Sequence, residues 1–90
     1  MAKSRQDIHY RKVYEKPIAV RYAHIEVIEL EPLDCRAPYK RIEVYLHTGE
    51  LAWSFELARG PYAADAWRLN LKYAKGLLQE LKKCEVPPKK

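Results

Sequence analysis

Four cations near the C-terminal end of the chain recur at intervals of four, three and seven residues: Arg68, Lys72, Lys75 and Lys82. Gln79 completes the series, and this spacing places all five side chains on one stripe of an α-helix. Exposed helix faces commonly mix charge signs and gain from oppositely charged pairs four residues apart, but no acid interrupts this stripe. An anionic ligand would relieve the repulsion between these like charges.

Two aromatic residues, Tyr62 and Tyr73, accompany the stripe at neighbouring helical angles. Cations beside aromatic rings suit single-stranded nucleic acid, because phosphates pair with Lys and Arg while bases stack on the rings. The competing interpretation is a solvated lysine face with tyrosines at the boundary of the core. The sequence leaves both interpretations open.

The N-terminal segment repeats this combination of residues. If residues 8–14 are extended, Tyr10, Lys12 and Tyr14 share one face, and Arg11 lies on the other. A basic arm of this kind is suited to closing over a strand of nucleic acid. The alternative is a terminal strand whose charges discourage edge-to-edge aggregation.

The net charge of +5 is distributed unevenly along the 90 residues. Residues 1–25 carry +4, residues 26–56 carry −4 and residues 57–90 carry +5. The length and the hydrophobic content of 48% predict one folded domain over residues 1–90, with a flexible basic arm at 1–7 and a flexible tail at 85–90. A net basic protein attracts polyanions, but only a basic face makes a binding site.

Patterns that accompany catalysis or cofactor binding are missing from the sequence. The three histidines are widely spaced, the two cysteines (Cys35 and Cys84) form no Cys-x-x-Cys pair, and the three glycines make no phosphate loop. We therefore predict no enzyme activity, no cofactor and no metal site. The cysteines are either reduced thiols or, in a hyperthermophile, a disulfide. The charge-rich composition, with a single Asn, is typical of thermophile proteins.

Neither a membrane-spanning stretch nor a signal peptide is visible in the sequence. We therefore expect a cytoplasmic protein with no membrane partner.

The segment Ile18–Leu30 is rich in β-branched residues, but its apolar phase changes along its length. A strand changes phase only at a bulge or a bend. The segment is thus either one long bulged strand or two strands joined near residues 22–24.

A hairpin follows, with a four-residue loop at positions 47–50 and Gly49 at positive φ. Apolar alternation fixes its register, because the three inward pairs match one another. The expected facing pairs are Leu46 with Leu51, Val44 with Trp53 and Ile42 with Phe55 on the apolar face, and Arg41 with Glu56 and Tyr45 with Ala52 on the other face.

The last element is a long helix, opened by Gly60-Pro61 and running from about Tyr62 to Lys83. Its apolar positions share one broad face: Ala63, Ala66, Trp67, Leu71, Ala74, Leu77, Leu78 and Leu81. The fold class is therefore α+β, with an antiparallel sheet of three to four strands packed against one long C-terminal helix. This order of elements is similar to that of small single-stranded-DNA-binding folds made of strands plus one helix, although architecture alone does not establish function.

The sequence favours a non-enzymatic protein that binds single-stranded DNA or RNA. In this hypothesis the phosphates meet Arg68, Lys72, Lys75 and Lys82, the bases stack on Tyr62, Tyr73, Tyr10 and Tyr14, and Arg11 and Lys12 extend the site. The alternative is a small oligomeric interaction module without nucleic-acid binding, since apolar residues cover about half of the helix circumference. Either function is compatible with a homodimer, which is the form that we expect.

Overall fold

Four strands followed by one helix make up residues 7–84, the part of the chain that the computed structural model describes. The elements are β1 (Ile8–Lys12), β2 (His24–Glu29), β3 (Pro38–Tyr45), β4 (Leu51–Ala58) and α1 (Ala63–Lys83). The strands form one sheet in the order β1-β2-β3-β4. The predicted α+β class is thus confirmed, while the expected arm at 1–7, apart from Asp7, and the tail at 85–90 lie outside the described residues.

The hairpin of β3 and β4 has the predicted register over most of its length. Ile42 faces Phe55, Val44 faces Trp53, and Arg41 faces Glu56. Beyond Val44 the register shifts, so that Tyr45 faces Leu51. The predicted pairs of Leu46 with Leu51 and of Tyr45 with Ala52 are therefore wrong, because an irregularity before the loop displaces the partners by one residue.

The loop of this hairpin contains the predicted positive φ. Gly49 has φ 95°, a conformation that a Cβ would strain. The Leu46 amide donates to the carbonyl of Glu50 at 2.8 Å, and the Gly49 amide donates to the carbonyl of Leu46 at 2.9 Å. The loop thus closes on its own backbone.

β2 begins at His24, so the prediction of a strand that starts at Ile18 is wrong. The reason lies in strand direction, since β1 and β2 are parallel and pair from Ile8 opposite Ile25 to Lys12 opposite Glu29. Two parallel strands that are consecutive in the chain need a connection that runs back along the sheet, and residues 13–23 form this connection. The sheet is consequently mixed, with antiparallel pairing of β2 with β3 and of β3 with β4.

α1 covers one face of the sheet and contacts β2, β3 and β4. The apolar face of the helix predicted from the sequence is the buried one, with Ala74 and Leu78 at its centre. The core cluster consists of Ala23, Ile25, Val27, Ile42, Val44, Ala74 and Leu78, with Trp53, Phe55, Trp67 and Leu71 among the half-buried side chains packed against it. Full burial of a side chain such as Ile25 or Ile42 stabilises the fold by about 1.5–3 kcal/mol.

Candidate nucleic-acid interface

The cations of α1 differ in how far the protein itself neutralises them. Lys72 and Lys75 are exposed, and neither has a carboxylate partner within residues 7–84. Arg68 pairs with Asp65 one turn away, but both side chains are more than 70% exposed, so water competes with this contact. Both lysines, and Arg68 at little cost, are therefore free to meet an anion.

Lys82 is held by other parts of the fold. Its Nζ lies 3.0 Å from Oδ1 of Asp7 and 5.8 Å from the ring centroid of Tyr22. These contacts join the last turn of α1 to the start of β1. Lys82 is thus a tether within the molecule rather than a free end of the cationic stripe.

The tyrosines named from the sequence are largely exposed: Tyr62 by 75%, Tyr73 by 56%, Tyr10 by 71% and Tyr14 by 75%. Tyr73 rests on β4, with its ring centroid 5.2 Å from that of Trp53. Its other side borders a shallow groove along α1, which is lined by Leu69, Lys72, Tyr73, Gly76, Leu77 and Glu80. The ring of Tyr73 therefore packs against Trp53 while much of the residue remains exposed to solvent.

Helical geometry separates these rings from most of the cationic stripe. Tyr73 and Lys75 are two residues apart, which puts them about 160° apart around the axis. Tyr62 and Tyr73 lie within about 20° of each other, on the same flank. In one molecule, Lys72 is the cation of the stripe that lies in the groove with a tyrosine ring.

The N-terminal candidates do not all lie on one strand face. β1 ends at Lys12, where a turn begins, so Tyr14 leaves the strand that Tyr10 and Lys12 share. Glu15 closes this turn, donating its amide to the Lys12 carbonyl at 3.0 Å. The neighbouring depressions are lined by three carboxylate residues, Glu15, Glu29 and Glu31. A phosphate group at this surface would therefore lie near both basic and acidic side chains.

Arg11 lies within an ionic network on the face of the sheet opposite α1. Its Nε donates to Oε1 of Glu26 at 2.6 Å, and its Nη2 donates to Oε1 of Glu43 at 3.2 Å. Burial lowers the pKa of Arg11, but the hydrogen bond to Glu26 and the two negative charges outweigh this effect and raise the pKa overall. The guanidinium is unavailable to phosphate while these bonds persist.

The network extends across β3 to β4. Arg41 donates to Oε2 of Glu43 at 3.2 Å and to Oε2 of Glu56 at 2.7 Å. The Tyr45 hydroxyl donates to Glu43 at 2.7 Å. Burial, this hydrogen bond and the charges of Glu43 and Glu26 raise the pKa of Tyr45 to about 12.

His24 completes the network at the start of β2. Its Nδ1 lies 2.8 Å from the Tyr22 carbonyl oxygen, its Nε2 lies 2.9 Å from Oε2 of Glu26, and its ring stacks on Tyr45. Within residues 7–84, every buried side-chain nitrogen and oxygen has a hydrogen-bond partner. We therefore interpret this network as a structural layer, in which the buried polar groups bond to one another within the protein.

Sequence reasoning missed this layer because its residues alternate as a solvent-facing strand surface does. Glu26 and Glu43 are only 2% and 6% exposed. One available signal was that Arg11 and Arg41 fall on the same faces of neighbouring strands as these carboxylates. Using it required the parallel register of β1 and β2.

Other candidate chemistry is sparse in the described part of the chain. No three His, Cys, Asp or Glu side chains between residues 7 and 84 are grouped as metal ligands. Cys35 and Cys84 are exposed free thiols, so the disulfide alternative is not realised. No helix within the described residues has both the length and the apolar character needed to cross a bilayer.

Comparison with known proteins identifies no relative: no family model, no curated protein and no solved structure matches the chain.

Proposed function

We propose that the protein is a non-enzymatic, single-stranded nucleic-acid-binding protein whose binding surface is the exposed side of α1. The observation that carries the proposal is that Lys72, which has no carboxylate partner among the described residues, lines one groove with the ring of Tyr73, which is 56% exposed. Lys75, also without a carboxylate partner in that part of the chain, is exposed on the other flank of the same helix. Phosphates would contact the lysines and Arg68, while bases would stack on Tyr73 and Tyr62. These five residues are the proposed site.

The other cations contribute less to this proposal. Arg11 is paired with two carboxylates, and Lys82 is paired with Asp7. Tyr10, Lys12 and Tyr14 lie among the carboxylate residues that line their depressions. We therefore restrict the proposed interface to α1 and its N-terminal cap residue, Tyr62.

Single strands fit this surface better than duplex. Unpaired bases present their faces to exposed rings, whereas in a duplex those faces are already stacked on one another. A duplex would use the lysines alone. A single-stranded oligonucleotide should accordingly bind more tightly than a duplex of the same length.

Fluorescence anisotropy with a labelled oligonucleotide at two salt concentrations tests the proposal. Three phosphate contacts give a slope of log K against log salt of about −2 for a single strand. Failure of the native protein to bind at low salt would reject the proposed function.

A matched pair of variants locates the interface. Lys72→Glu/Lys75→Glu should abolish binding, because two cations on the surface become anions. Lys12→Glu/Lys16→Glu makes the same change in net charge at exposed positions beyond α1 and should retain most of it. Equal losses in the two variants would mean that net charge, rather than the helix, determines binding.

A further inference from the structure

Lys75 has no tyrosine of α1 on its own flank of the helix. Tyr73 lies about 160° away around the axis, and Tyr62 is on the same flank as Tyr73. We propose that Tyr10 of β1 supplies the missing ring, so that a second nucleotide binds in the cleft between α1 and β1, with its phosphate at Lys75 and its base on Tyr10. This second contact rests on the proposed function and extends it from the helix to the sheet.

Tyr10 points to the side of the sheet that carries α1. It faces Val27, which in turn faces Ile42, and both of these partners belong to the core cluster beneath the helix. Residues directly opposite one another on neighbouring strands lie on the same face of a sheet. Ile8, two residues earlier on the same face of β1, packs against that core as well.

The ring of Tyr10 is nevertheless open to solvent. α1 contacts β2, β3 and β4, so β1 is the described strand that the helix leaves uncovered. Tyr10 is accordingly 71% exposed, whereas its neighbour Val27 is 4% exposed. The margin of the sheet beside α1 thus carries an aromatic ring on which a base can stack.

Lys75 lies on the flank of α1 that faces β1. Lys82 follows seven residues later, which places it within about 20° of the same line along the helix surface. Its Nζ lies 3.0 Å from Oδ1 of Asp7, the residue that precedes β1. Lys75 is exposed and has no such carboxylate partner within residues 7–84. It is therefore free to meet a phosphate beside β1.

α1 runs antiparallel to β1. Near the start of the helix, the ring centroid of Trp67 lies 4.9 Å from Nζ of Lys40, which is in the same row across the sheet as Lys12, the last residue of β1. At the other end of the helix, Lys82 contacts Asp7, next to the first residue of β1. The helix thus passes from the end of β1 to its start.

The contact between Lys82 and Asp7 sets the height of Lys75 relative to Tyr10. Seven residues of helix separate Lys75 from Lys82, a rise of about 10 Å, and three residues of strand separate Tyr10 from Asp7, also about 10 Å. Lys75 and Tyr10 therefore lie at a similar distance from this contact. They face one cleft from its two sides.

The charges around the cleft orient a nucleotide. Two carboxylate residues, Glu15 and Glu29, line the depression beside Tyr10, along with Lys12. A phosphate on the strand would lie close to these acids, whereas on the helix it meets Lys75. A base carries no charge and can stack on the ring. The nucleotide therefore binds with its phosphate toward the helix and its base toward the sheet.

Fluorescence anisotropy with a labelled single-stranded oligonucleotide at low salt tests the role of Tyr10. Tyr10→Ala should weaken binding about tenfold, because the stacking of one base is lost, and Tyr10→Phe should bind as the native protein does, because the ring remains. Tyr14→Ala is the matched control and should have little effect, since Tyr14 is 75% exposed but lies beyond the end of β1. Undiminished binding by Tyr10→Ala would overturn the contact.

A double-mutant cycle tests whether one nucleotide contacts both residues. Tyr10→Ala and Lys75→Ala should be coupled, so that the double variant loses less affinity than the product of the two single losses. Tyr10→Ala combined with Lys72→Ala should lose the full product, because Lys72 lines the groove on the other flank. Uncoupled losses in both pairs would show that Tyr10 and Lys75 serve different nucleotides and would overturn the shared site.

The outcomes separate this contact from the proposed function. Urea unfolding should show that Tyr10→Ala is folded, since a side chain that is 71% exposed contributes little to packing. Native protein that binds oligonucleotide no better than Tyr10→Ala rejects the cleft and leaves the interface on α1 standing. Native protein that does not bind at low salt rejects the proposed function, and the cleft contact with it.

Discussion

The carboxylate of Glu43 is buried, and hydrogen-bond donors from neighbouring side chains stabilise its negative charge. Its carboxylate accepts bonds from Arg11, Arg41 and Tyr45, at 3.2, 3.2 and 2.7 Å. A buried carboxylate without such donors would be strongly destabilising, whereas a fully partnered one is tolerated. The layer thus depends on every donor being present.

The two arginines should differ in their contribution to stability. Arg11→Met removes a guanidinium that is 12% exposed and leaves Glu26 and Glu43 buried without it, so we expect a loss of about 3 kcal/mol in the free energy of unfolding. Arg41→Met, the matched control, removes a side chain that is 33% exposed and that also serves the exposed Glu56, so its loss should be about 1 kcal/mol. Urea unfolding of both variants checks the order, and equal losses would contradict it.

The raised pKa of Tyr45 makes this layer detectable by titration in alkaline solution. Its pKa is raised to about 12 in the folded protein, chiefly by burial and then by its bond to Glu43, against about 10 for an unfolded tyrosine. The folded state therefore favours the protonated phenol. This stabilisation is complete below pH about 10 and is lost as pH rises through about 12.

We expect Tyr45→Phe to remove the step near pH 12 from the absorbance titration of phenols. The variant should also lose less stability than the native protein between pH 10 and 12. An unchanged titration curve would place Tyr45 in a different environment.

Among the elements, α1 has one buried face and one exposed face, and a Leu→Ala substitution should affect stability differently on each. Leu78 is 6% exposed and lies in the core cluster, whereas Leu69 is 69% exposed in the groove. Leu78→Ala should lower the free energy of unfolding by about 3 kcal/mol, because it removes packing and leaves a cavity.

Leu69→Ala is the control for that substitution and should change monomer stability by no more than about 0.5 kcal/mol. Denaturant curves at low protein concentration make this comparison. A large effect at Leu69 would show that this side chain is covered within the monomer.

The elements also show which features a sequence can reveal. Alternation of apolar residues located the pairs of Ile42 with Phe55 and of Val44 with Trp53, and helical periodicity located the buried face around Ala74. Both patterns arise from one-sided burial, which a single segment records in its own residues.

Whether a strand pairs parallel or antiparallel with its neighbour cannot be determined from the residues of that strand alone. Ile8–Lys12 has the same alternation whether it pairs parallel or antiparallel, so the return along residues 13–23 was not foreseen. The exposure of Tyr62 and Tyr73 follows from helical positions outside the apolar face, but the pairing of Arg11 and Lys82 with internal carboxylates depends on contacts distant in sequence. Such contacts follow from the assembled sheet rather than from any local pattern.

For the whole molecule, the distribution of charge is simpler than the sequence suggests. Three acids of the negative middle segment (Glu26, Glu43 and Glu56) are paired with arginines on the sheet face opposite α1. Lys72 and Lys75 lie on the other side of the molecule, on the exposed surface of the helix. A polyanion that approaches the exposed side of α1 would therefore meet these lysines and not the three carboxylates of the sheet.

Pairing of two copies should be visible in thermal stability. A dimer that is more stable than its separated subunits melts at a temperature that rises with protein concentration. We expect this dependence for the native chain if it forms the homodimer that the sequence analysis predicts. Calorimetry over a hundredfold range of concentration provides the measurement, and a constant melting temperature for the native chain would contradict the expectation.

The parallel edge strand has a consequence for how the chain assembles. β1 precedes the other described strands in the chain, and its only partner among the described strands is β2, whose other neighbour is β3. We expect the β2–β3–β4 meander to form first and β1 to close over it, with Arg11 arriving at carboxylates that are already in place. Amide hydrogen exchange should then be faster in Ile8–Lys12 than in β2 and β3, and the opposite order would mean that the edge is as firmly held as the centre.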